Sequence, residues 1–356
     1  MFPSDNDPLF GIFVKNFRLE LEKQEVDFSR SVLIRGKTKS PLKKLFKYLV
    51  HYLKIIQIFF GFKYDLIYLH YLTHHIPILL PLIMLKRRPL VINVHGSDII
   101  GLKNQKLLNI AAKIILLRID LLVVPTIYFK EKVLSLYPFI SKNRVFVSPS
   151  GGVDLQKFHT LPLKKDRDRT LTLGFVSRLT EDKGWRIFLN SILILKRDKI
   201  KIKAIIVGKG ESENEILSKI KKDNLKKEID FLGFVPQNEL INIYNSIDLY
   251  IFPTYREAES LGLTGIEAMA CGTPVIASNI AGPSTYIRHN VNGFLFPPKD
   301  SEALVKEIKK YIDMSQEERL RICQSALKTA QEYSQSTVAN NLKKKLEYLV
   351  KADISS

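Results

Sequence analysis

Short runs of β-branched and aliphatic residues recur along the first half of the chain, separated by longer segments with helical periodicity. They predict strands at 26–34, 64–70, 89–95, 120–126 and 144–150. The alternation restarts in the second half, with strands predicted at 170–177, 202–208, 228–234, 248–254 and 273–278. Strands that alternate with helices are typical of βα units that feed a parallel sheet. The pattern therefore predicts two successive doubly wound α/β domains.

A polar, charged stretch, LPLKKDRDRT at 161–170, lies between the two halves. We place the first domain at 1–160 and the second at 161–330, and we expect the carboxyl-terminal helix, 331–356, to complete the first domain. Ligands of doubly wound proteins bind at the carboxyl ends of strands and between domains. The predicted ligand site is therefore a cleft between the two domains.

Residues 41–63 predict a basic, aromatic-rich amphipathic helix. The apolar positions with helical spacing are Leu42, Leu45, Phe46, Leu49, Leu53, Ile56, Phe59 and Phe60. The polar positions that fall largely on the other side are Lys43, Lys44, Lys47, His51 and Lys54. Such a helix can cover one face of a sheet or lie on a membrane surface. The two interpretations are compatible if it buries one stripe and exposes another.

Composition and charge narrow the classes of protein. The chain has 356 residues, which is more than one hydrophobic core ordinarily holds, so two domains are expected. Its composition, 46% hydrophobic and 26% charged, is that of a globular protein. The formal charge of +19 favours anionic partners such as nucleotide phosphates, nucleic acid or an anionic membrane, although a lysine-rich solvated surface also explains it.

The cysteines, the amino end and the apolar stretches of the sequence bear on the cellular compartment. Cys271 and Cys323 show no metal-ligand or disulfide spacing, which fits a reducing compartment. The amino end shows no signal-peptide pattern, and the longest apolar stretch, 76–85, contains prolines and is too short to span a bilayer. We therefore expect a cytoplasmic protein, with peripheral contact at the inner face of the plasma membrane as a further possibility.

The segment 256–274, REAESLGLTGIEAMACGTP, carries candidate chemistry. The strand predicted at 248–254 precedes it, so Glu259 falls in a loop and Glu267 about two turns into a helix. Backbone N–H groups at the helix start can bind an anion such as a diphosphate. Carboxylates beside a diphosphate repel it unless they accept hydrogen bonds from sugar hydroxyls, which indicates a nucleotide sugar. The alternative is that the glutamates only cap the helix.

This spacing resembles the Glu-x7-Glu motif of the retaining family 4 glycosyltransferases, which have the GT-B fold of two Rossmann-like domains facing across a cleft. Further similar segments in the second half are 174–185, 205–211, 231–254, 267–278 and 292–300. In the first half they are 69–75, 93–99 and 148–158. Their order and spacing together are specific, and they cover nearly the whole chain.

The resemblance implies roles for individual residues. Glu267 would hold the ribose hydroxyls and Glu259 the hydroxyls of the donor sugar. Arg178 and Lys183 would neutralise the diphosphate and the charge developing on the leaving group. His95 would face the donor sugar and complete a catalytic set with Glu259, Arg178 and Lys183.

Further donor contacts are implied at turns and at the helix start. These positions are Gly11, Gly208, Phe234, Leu261, Gly262 and Leu263. The family also implies no cofactor and no metal ion, and we assign no covalent nucleophile.

Plainer structural interpretations exist for several of these residues. Arg178 and Lys183 can be surface residues after a strand, and His95 can be a satisfied turn residue. Asp98 can be an Asx-turn or helix cap. For His70, His74 and His75 a role in lining a loop or the core is favoured over metal ligation.

The family's first domain opens with a buried strand that leads into a glycine loop. Here MFPSDNDPLFGIFV resembles the start of that loop, with Gly11 as its glycine. The resemblance therefore leads us to expect the first sheet to lack a strand near its middle. We also expect this chain to be poorly active or unstable compared with a form extended on its amino side.

The favoured function is transfer of a hexose from a UDP-sugar to a saccharide or lipid-linked saccharide acceptor in cell-surface polysaccharide synthesis. Alternatives are epimerisation or phosphorolysis on the same fold, a noncatalytic or truncated homologue, and a basic nucleic-acid-binding protein. The dispersed lysines and the absence of a recognised nucleic-acid module argue against the last, so we expect no nucleic-acid partner.

Overall fold

A computed structural model describes residues 2–4, 7, 10–38, 40–61, 63–162 and 170–354. The chain divides into two compact units. The first unit comprises Met1–Gly152 and Gln335–Ser356, and the second comprises Val153–Ser334. Most of the charged stretch predicted to separate the domains, 163–169, lies outside the described residues.

The described strands and helices alternate along both units. The strands are β1 (Ile67–His70), β2 (Leu90–Asn93), β3 (Leu121–Val124), β4 (Val145–Val147), β5 (Leu171–Val176), β6 (Ile202–Val207), β7 (Ile229–Gly233), β8 (Leu249–Phe252), β9 (Val275–Ser278) and β10 (Gly293–Phe296). The helices are α1 (Ile12–Lys23), α2 (Pro41–Gly61), α3 (Leu72–Leu82), α4 (Ser97–Ile100), α5 (Lys106–Arg118), α6 (Ile127–Leu136), α7 (Trp185–Arg197), α8 (Glu213–Lys222), α9 (Leu240–Ser246), α10 (Leu263–Ala270), α11 (Ser301–Asp313), α12 (Gln316–Glu332) and α13 (Gln335–Ile354).

The sheet of the first unit is parallel, in the order β1-β2-β3-β4. All residues of β2 and β3 are buried, and successive side chains point to opposite faces of the sheet. Ile92 packs in a core with residues of α3 and α5, whereas Val91 packs with residues of α1 and α13. The sheet therefore lies between two helical layers, and α13 supplies part of one layer although it follows the second unit in sequence.

The sheet of the second unit is also parallel, in the order β10-β9-β8-β5-β6-β7. After β5 the chain builds β6 and β7 on one side, then returns to build β8, β9 and β10 on the other side of β5. This order is that of the Rossmann fold, and its direction reverses between β5 and β8. The loops that follow β5 and β8 therefore meet at the edge of the sheet where such folds bind ligands.

The predicted strand at 26–34 is wrong, because these residues are irregular in the structure. A run with strand propensity becomes a strand only when its backbone pairs with a neighbour. Among the described residues the pairing in this region is confined to a bridge between Phe2 and Arg35. The other predicted strands are all found, and β10 is an additional strand that the periodicity did not predict.

The predicted helix at 41–63 is confirmed as α2, and it buries one stripe and exposes another. The predicted polar residue His51 is buried, and Ile55 and Ile58 beside it are half-buried. The predicted apolar residues are exposed: Leu42, Leu45, Phe46, Leu49, Leu53, Ile56 and Phe60. Phe59 is half-buried. His51 lies 3.3 Å from His75, measured between the Nε2 atoms of the two rings, so the stripe that carries His51 faces α3.

Phe188→Ala tests the core of the second unit. Phe188 is fully buried and stacks on Phe175 with ring centroids 5.4 Å apart, so truncation should cost about 3–5 kcal/mol of unfolding free energy. Urea unfolding followed by the fluorescence of Trp185, the single tryptophan of the chain, reports on this unit. The control Leu217→Ala removes a side chain that is 43% exposed and should change the free energy by less than about 0.5 kcal/mol. Equal effects of the two variants would contradict the assigned core.

Candidate functional site

The loops after β5 and β8 are held together by close backbone packing. The loop after β5 contains a short 3-10 turn at Glu181–Lys183 and reaches α7 through Gly184. Gly184 has φ of 80°, and a Cβ atom there would lie 1.9 Å from the carbonyl oxygen of Pro253. A side chain at position 184 is therefore excluded, and the turn lies directly against the end of β8.

A buried ion pair joins the two loops. Lys183 and Glu259 are 8% and 9% exposed, and Lys183 Nζ donates a hydrogen bond to Glu259 Oε2. Thr254 Oγ1 lies 3.4 Å from the same carboxylate oxygen and donates to the carbonyl of Asp182 at 3.1 Å. Because a buried charge without a partner is strongly destabilising, each member of the pair holds the other in place. The structure thus brings together two residues predicted to serve one site.

A second, outer ion pair supports the same loops. Arg256 Nη1 lies 3.0 Å from Asp182 Oδ2, and the Thr180 hydroxyl donates to Asp182 Oδ1 at 2.5 Å. Burial raises the pKa of Asp182, but the Thr180 hydrogen bond and the Arg256 charge outweigh it, so the pKa is below its usual value. Asp182 therefore stays ionised and keeps the turn before Lys183 fixed.

Glu267 is held in a separate polar cluster on α10. Its Oε2 accepts a hydrogen bond from the Tyr244 hydroxyl at 2.9 Å, and its Oε1 lies 3.4 Å from Gln237 Nε2. Lys157 Nζ donates to Gln237 Oε1 at 3.2 Å. Burial raises the pKa of Glu267, while the bonds from Tyr244 and Gln237 oppose that shift. Glu267 is the fifth residue of α10, so it lies little more than one turn into the helix and not the predicted two.

The start of α10 is tied to the end of β5. Gly262 is the residue before the helix and has φ of 77°. The Tyr250 hydroxyl donates to the carbonyl of Val176 at 2.8 Å and lies 2.8 Å from Thr264 Oγ1. Leu261 is fully buried and Leu263 is half-buried, so their side chains anchor the segment whose backbone was predicted to contact the donor. That backbone role remains a prediction.

The remaining residues of the second unit that were predicted to bind the donor lie just after three strands, β5, β6 and β7. Arg178 follows β5 and is exposed, and its side chain makes no ion pair with any described residue. Gly208 follows β6, and its N–H donates to the carbonyl of Gly233 at 2.7 Å. Phe234 follows β7 and is 57% exposed. Because carboxyl ends of parallel strands share one edge of the sheet, all three positions lie along the edge that carries Lys183 and Glu259.

His95 and Gly11 belong to the first unit. Gly11 has φ of 72° and immediately precedes α1. His95 follows β2, and its Nε2 lies 3.1 Å from His70 Nδ1 in a stacked pair of rings. The Asp98 carboxylate accepts the backbone N–H of His95 at 2.7 Å and that of Leu72 at 3.1 Å. Asp98 therefore joins the loop after β2 to the start of α3.

Burial governs the ionisation of this histidine cluster. It lowers the pKa of His95 to about 3 and raises the pKa of Asp98 to about 6. His75 is also buried, and its Nδ1 lies 2.8 Å from the carbonyl oxygen of Tyr71. His74 is half-buried, and its Nδ1 lies 3.0 Å from the hydroxyl oxygen of Tyr48. Among the described residues no group of three or more histidine, cysteine or acidic side chains is placed to hold a metal ion.

Several residues of the site escaped the sequence analysis. They are Lys157, Asp182, Gln237, Tyr244, Thr254 and Arg256. Gln237 and Tyr244 lie within the segment 231–254 that resembles the family, but nothing in the spacing shows that they face Glu267. The pairing of Asp182 with Arg256 requires the contact between β5 and β8, which only the folded chain provides.

Comparison with solved structures identifies the class of fold. Sucrose-phosphate synthase from Thermosynechococcus elongatus aligns with a TM-score of 0.76 and 20% identity, over 96% of this chain and 93% of that one. HepE of Anabaena, solved in complex with UDP, aligns with a TM-score of 0.72 and 22% identity, over 93% and 89%. The chain therefore has the GT-B fold, built from two Rossmann-like units.

Family models match both units. Residues 12–157 match Glycosyltransferase Family 4, and residues 162–329 match Glycosyl transferases group 1. The amylovoran biosynthesis glycosyltransferase AmsK of Erwinia amylovora is 32% identical over 157 residues, 43% of this chain and 38% of that protein. The capsular polysaccharide biosynthesis glycosyltransferase CapM of Staphylococcus aureus is 28% identical over 180 residues, 46% and 44%. The chain thus matches less than half the length of these curated relatives, and it carries domains of both glycosyltransferase models.

The ionisation of His95 can be checked by NMR. Its folded-state pKa of about 3 lies below the ordinary 6.5, so the unfolded chain binds the proton first as pH falls. The contribution of His95 to stability should therefore be complete above pH 6.5 and decline as pH falls toward 3. We expect its ring nitrogen shifts to stay in the range of neutral imidazole from about pH 8 to about pH 5 in the folded protein, with only a small response to Asp98 titrating near pH 6, and to move to the imidazolium range near pH 6.5 in urea. A folded-state midpoint near 6.5 would contradict the buried, neutral assignment.

Proposed function

We propose that this chain is a retaining glycosyltransferase that moves a hexose from a nucleotide sugar to a saccharide or lipid-linked saccharide. The observation that carries the proposal is a pair of polar clusters in the second unit. The buried Lys183 and Glu259 are paired at the β5–β8 reversal, and the buried Glu267 on α10 is held by Tyr244 and Gln237. Carboxylates next to cations suit a ligand that combines hydroxyl groups with phosphates.

The reaction breaks the bond between the sugar C1 and the oxygen of the diphosphate. The nucleoside diphosphate leaves with the electron pair, and the acceptor hydroxyl bonds to C1 and gives its proton to the departing diphosphate oxygen. Arg178 and Lys183 stabilise the negative charge that develops on the leaving diphosphate. The exposed Arg178 can turn toward a phosphate without breaking any described ion pair, whereas Lys183 must share its charge with Glu259.

The two glutamates would bind opposite ends of the donor, Glu267 the ribose and Glu259 the transferred sugar. Glu267 accepts hydrogen bonds in the apo protein, and a ribose hydroxyl can take the place of the long Gln237 contact at 3.4 Å. Glu259 would accept a hydroxyl of the transferred sugar through the oxygen that Lys183 leaves free. A neutral His95 would form a hydrogen bond with the sugar and bring no positive charge near C1.

A UDP-linked donor and a polysaccharide acceptor are supported by relatives. HepE of Anabaena has been solved with UDP, with UDP and glucose, and with UDP-glucose. AmsK, CapM and the putative colanic acid enzyme WcaL of Escherichia coli are named for polysaccharide biosynthesis. We therefore propose UDP as the nucleotide and a cell-surface polysaccharide or its lipid-linked precursor as the product.

Glu267→Gln tests the nucleotide site. The change keeps the side-chain shape but removes the charge, so the affinity for UDP, measured by calorimetry, should fall by about tenfold or more. The free energy of unfolding should fall by no more than about 1–3 kcal/mol, because glutamine keeps one acceptor oxygen and leaves one of the two donors, Tyr244 or Gln237, without its acceptor.

Lys221→Ala, an exposed change on α8, is the matched control and should leave UDP affinity unchanged. A panel of UDP- and GDP-sugars assayed for binding and slow hydrolysis then identifies the donor. Unchanged UDP affinity in Glu267→Gln would refute its ribose role, and the absence of any nucleotide binding to the parent protein would refute the function.

Peripheral membrane contact is a further part of the proposal. None of the described helices is both long and apolar enough to cross a bilayer. The outer stripe of α2 nevertheless exposes Leu45, Phe46 and Leu49 by 53–69%, next to exposed Lys43 and Lys44. In the same unit α5 exposes apolar side chains from Leu107 to Leu117. Apolar rows bordered by cations fit an anionic bilayer surface, where a lipid-linked acceptor would lie.

Vesicle sedimentation tests this contact. The protein should bind vesicles that contain phosphatidylglycerol, bind pure phosphatidylcholine vesicles more weakly, and lose much of the difference at high salt. Replacing Leu45, Phe46 and Leu49 together by glutamine should weaken binding by about tenfold or more, because the apolar row of α2 is lost while that of α5 remains. The matched control replaces Leu217, Val291 and Leu320 of the second unit, which are 43–56% exposed, and should bind as the parent does. Equal loss in both triple variants would contradict a specific membrane face.

A further inference from the structure

The register of β1 and β2 brings His70 and His95 together. His70 is the partner of Asn93 in the parallel ladder, and His95 lies two residues beyond Asn93. The pairing with β3 continues past the end of β2, because the N–H of Val94 donates to Val123 at 2.9 Å. Side chains two residues apart along such a segment point to the same face of the sheet. The two imidazole rings therefore meet on one face, where Nε2 of His95 lies 3.1 Å from Nδ1 of His70.

Aromatic side chains hold both histidine rings in place. The His95 ring contacts Tyr71 and Phe13, with ring centroids 4.4 Å and 5.0 Å away. The His70 ring meets the edge of Phe17 at a centroid distance of 5.0 Å. The planes of the two imidazole rings differ by only 13°, so a ring N–H of one can point at the lone pair of the other. Rotation of either ring would break this hydrogen bond and the aromatic contacts together.

The hydrogen bond between the rings couples their protonation states. Burial lowers the pKa of His95 to about 3 and holds the pKa of His70 well below its usual value, so both rings are neutral and each carries one N–H and one lone pair. If His95 donates through Nε2, both rings carry their proton on Nε2, and Nδ1 of His95 is an acceptor. If His70 donates instead, both rings carry their proton on Nδ1. The pair therefore has two arrangements, and they present opposite groups at Nδ1 of His95.

The chemistry of imidazole favours the arrangement in which His95 donates. The Nε2–H form is the more stable neutral tautomer of an unconstrained histidine side chain, and this arrangement keeps both rings in that form. The other arrangement places both rings in the less stable form. Nδ1 of His95 makes no hydrogen bond with any described residue, so its lone pair is left for a ligand.

We propose that His70 is a positioning residue, which holds the proton of His95 on Nε2 so that Nδ1 of His95 accepts a hydrogen bond from a hydroxyl group of the donor sugar. The identity of that hydroxyl rests on the proposed function, whereas the tautomer of His95 does not. Because the pKa of His95 is about 3, Nδ1 holds the hydroxyl without taking up its proton near neutral pH. His95 therefore orients the sugar and does not act as a base.

Two variants of similar size separate the acceptor atom of His70 from its packing. In His70→Asn the amide oxygen can take the place of Nδ1, whereas His70→Leu has no acceptor. Long-range proton–nitrogen NMR spectra of histidine-labelled protein show which ring nitrogen of His95 carries the proton, and His95→Gln assigns the signals. We expect Nε2–H in the parent and in His70→Asn. In His70→Leu the Nε2–H group would be buried without an acceptor, so the Nδ1–H form should become populated.

Turnover of the nucleotide sugar gives the functional measurement. The kcat/KM should fall by about tenfold or more in His70→Leu and by less than about threefold in His70→Asn, because only leucine removes the group that sets the tautomer. The affinity for UDP should be unchanged in both variants, since UDP lacks the transferred sugar. UDP binding therefore also shows that each variant is folded.

The outcomes decide the tautomer and the role separately. A proton on Nδ1 of His95 in the parent protein would overturn the proposal, and so would an unchanged tautomer or unchanged turnover in His70→Leu. Equal losses in His70→Asn and His70→Leu would show that His70 acts by packing, and would also overturn it. The absence of nucleotide-sugar binding and turnover in the parent protein would refute the proposed function and with it the sugar contact, whereas the spectra would still decide the tautomer.

Discussion

The second unit depends on the buried pairing of Lys183 with Glu259. These residues lie 76 positions apart and meet because β5 and β8 are neighbours in the sheet. A buried charge without a partner is strongly destabilising, so the pair constrains the loops that follow β5 and β8. Gly184 against Pro253 and Asp182 with Arg256 tighten the same junction. Several buried polar contacts therefore hold the loops after β5 and β8 together.

The two units use buried polar groups differently. In the second unit Lys183, Glu259 and Glu267 combine opposite charges with neutral donors, an arrangement suited to a ligand that carries phosphates and hydroxyls. In the first unit His70 and His95 are kept neutral by burial. Neutral imidazoles recognise hydroxyl groups without attracting phosphate. The formal charge of +19 is consistent with the exposed lysines of α2 and with an anionic ligand.

Hydrophobic periodicity predicted most strands because each buried strand carries its own apolar pattern. It failed at 26–34, where propensity is present but a pairing edge is missing, and it did not predict β10, a short strand. For α2 it predicted two faces but could not decide which face is covered. Hydrogen bonds from Tyr48, His51 and Tyr52 to the histidines of α3 place the aromatic and histidine stripe inward.

The sequence by itself determined two α/β halves, a parallel sheet in each, and the positions of Glu259, Glu267, Arg178 and Lys183 after strands or at a helix start. These are local properties, fixed by spacing along a few residues. Tertiary structure alone decided that Lys183 pairs with Glu259 and that Tyr244 and Gln237 hold Glu267. It also decided that His95 stacks on His70, since each of these contacts joins residues from different strands, helices or the loops that follow them. The order of the strands in a sheet decides which loops become neighbours. That order depends on how all strands of the sheet pair, and a short stretch of sequence does not determine it.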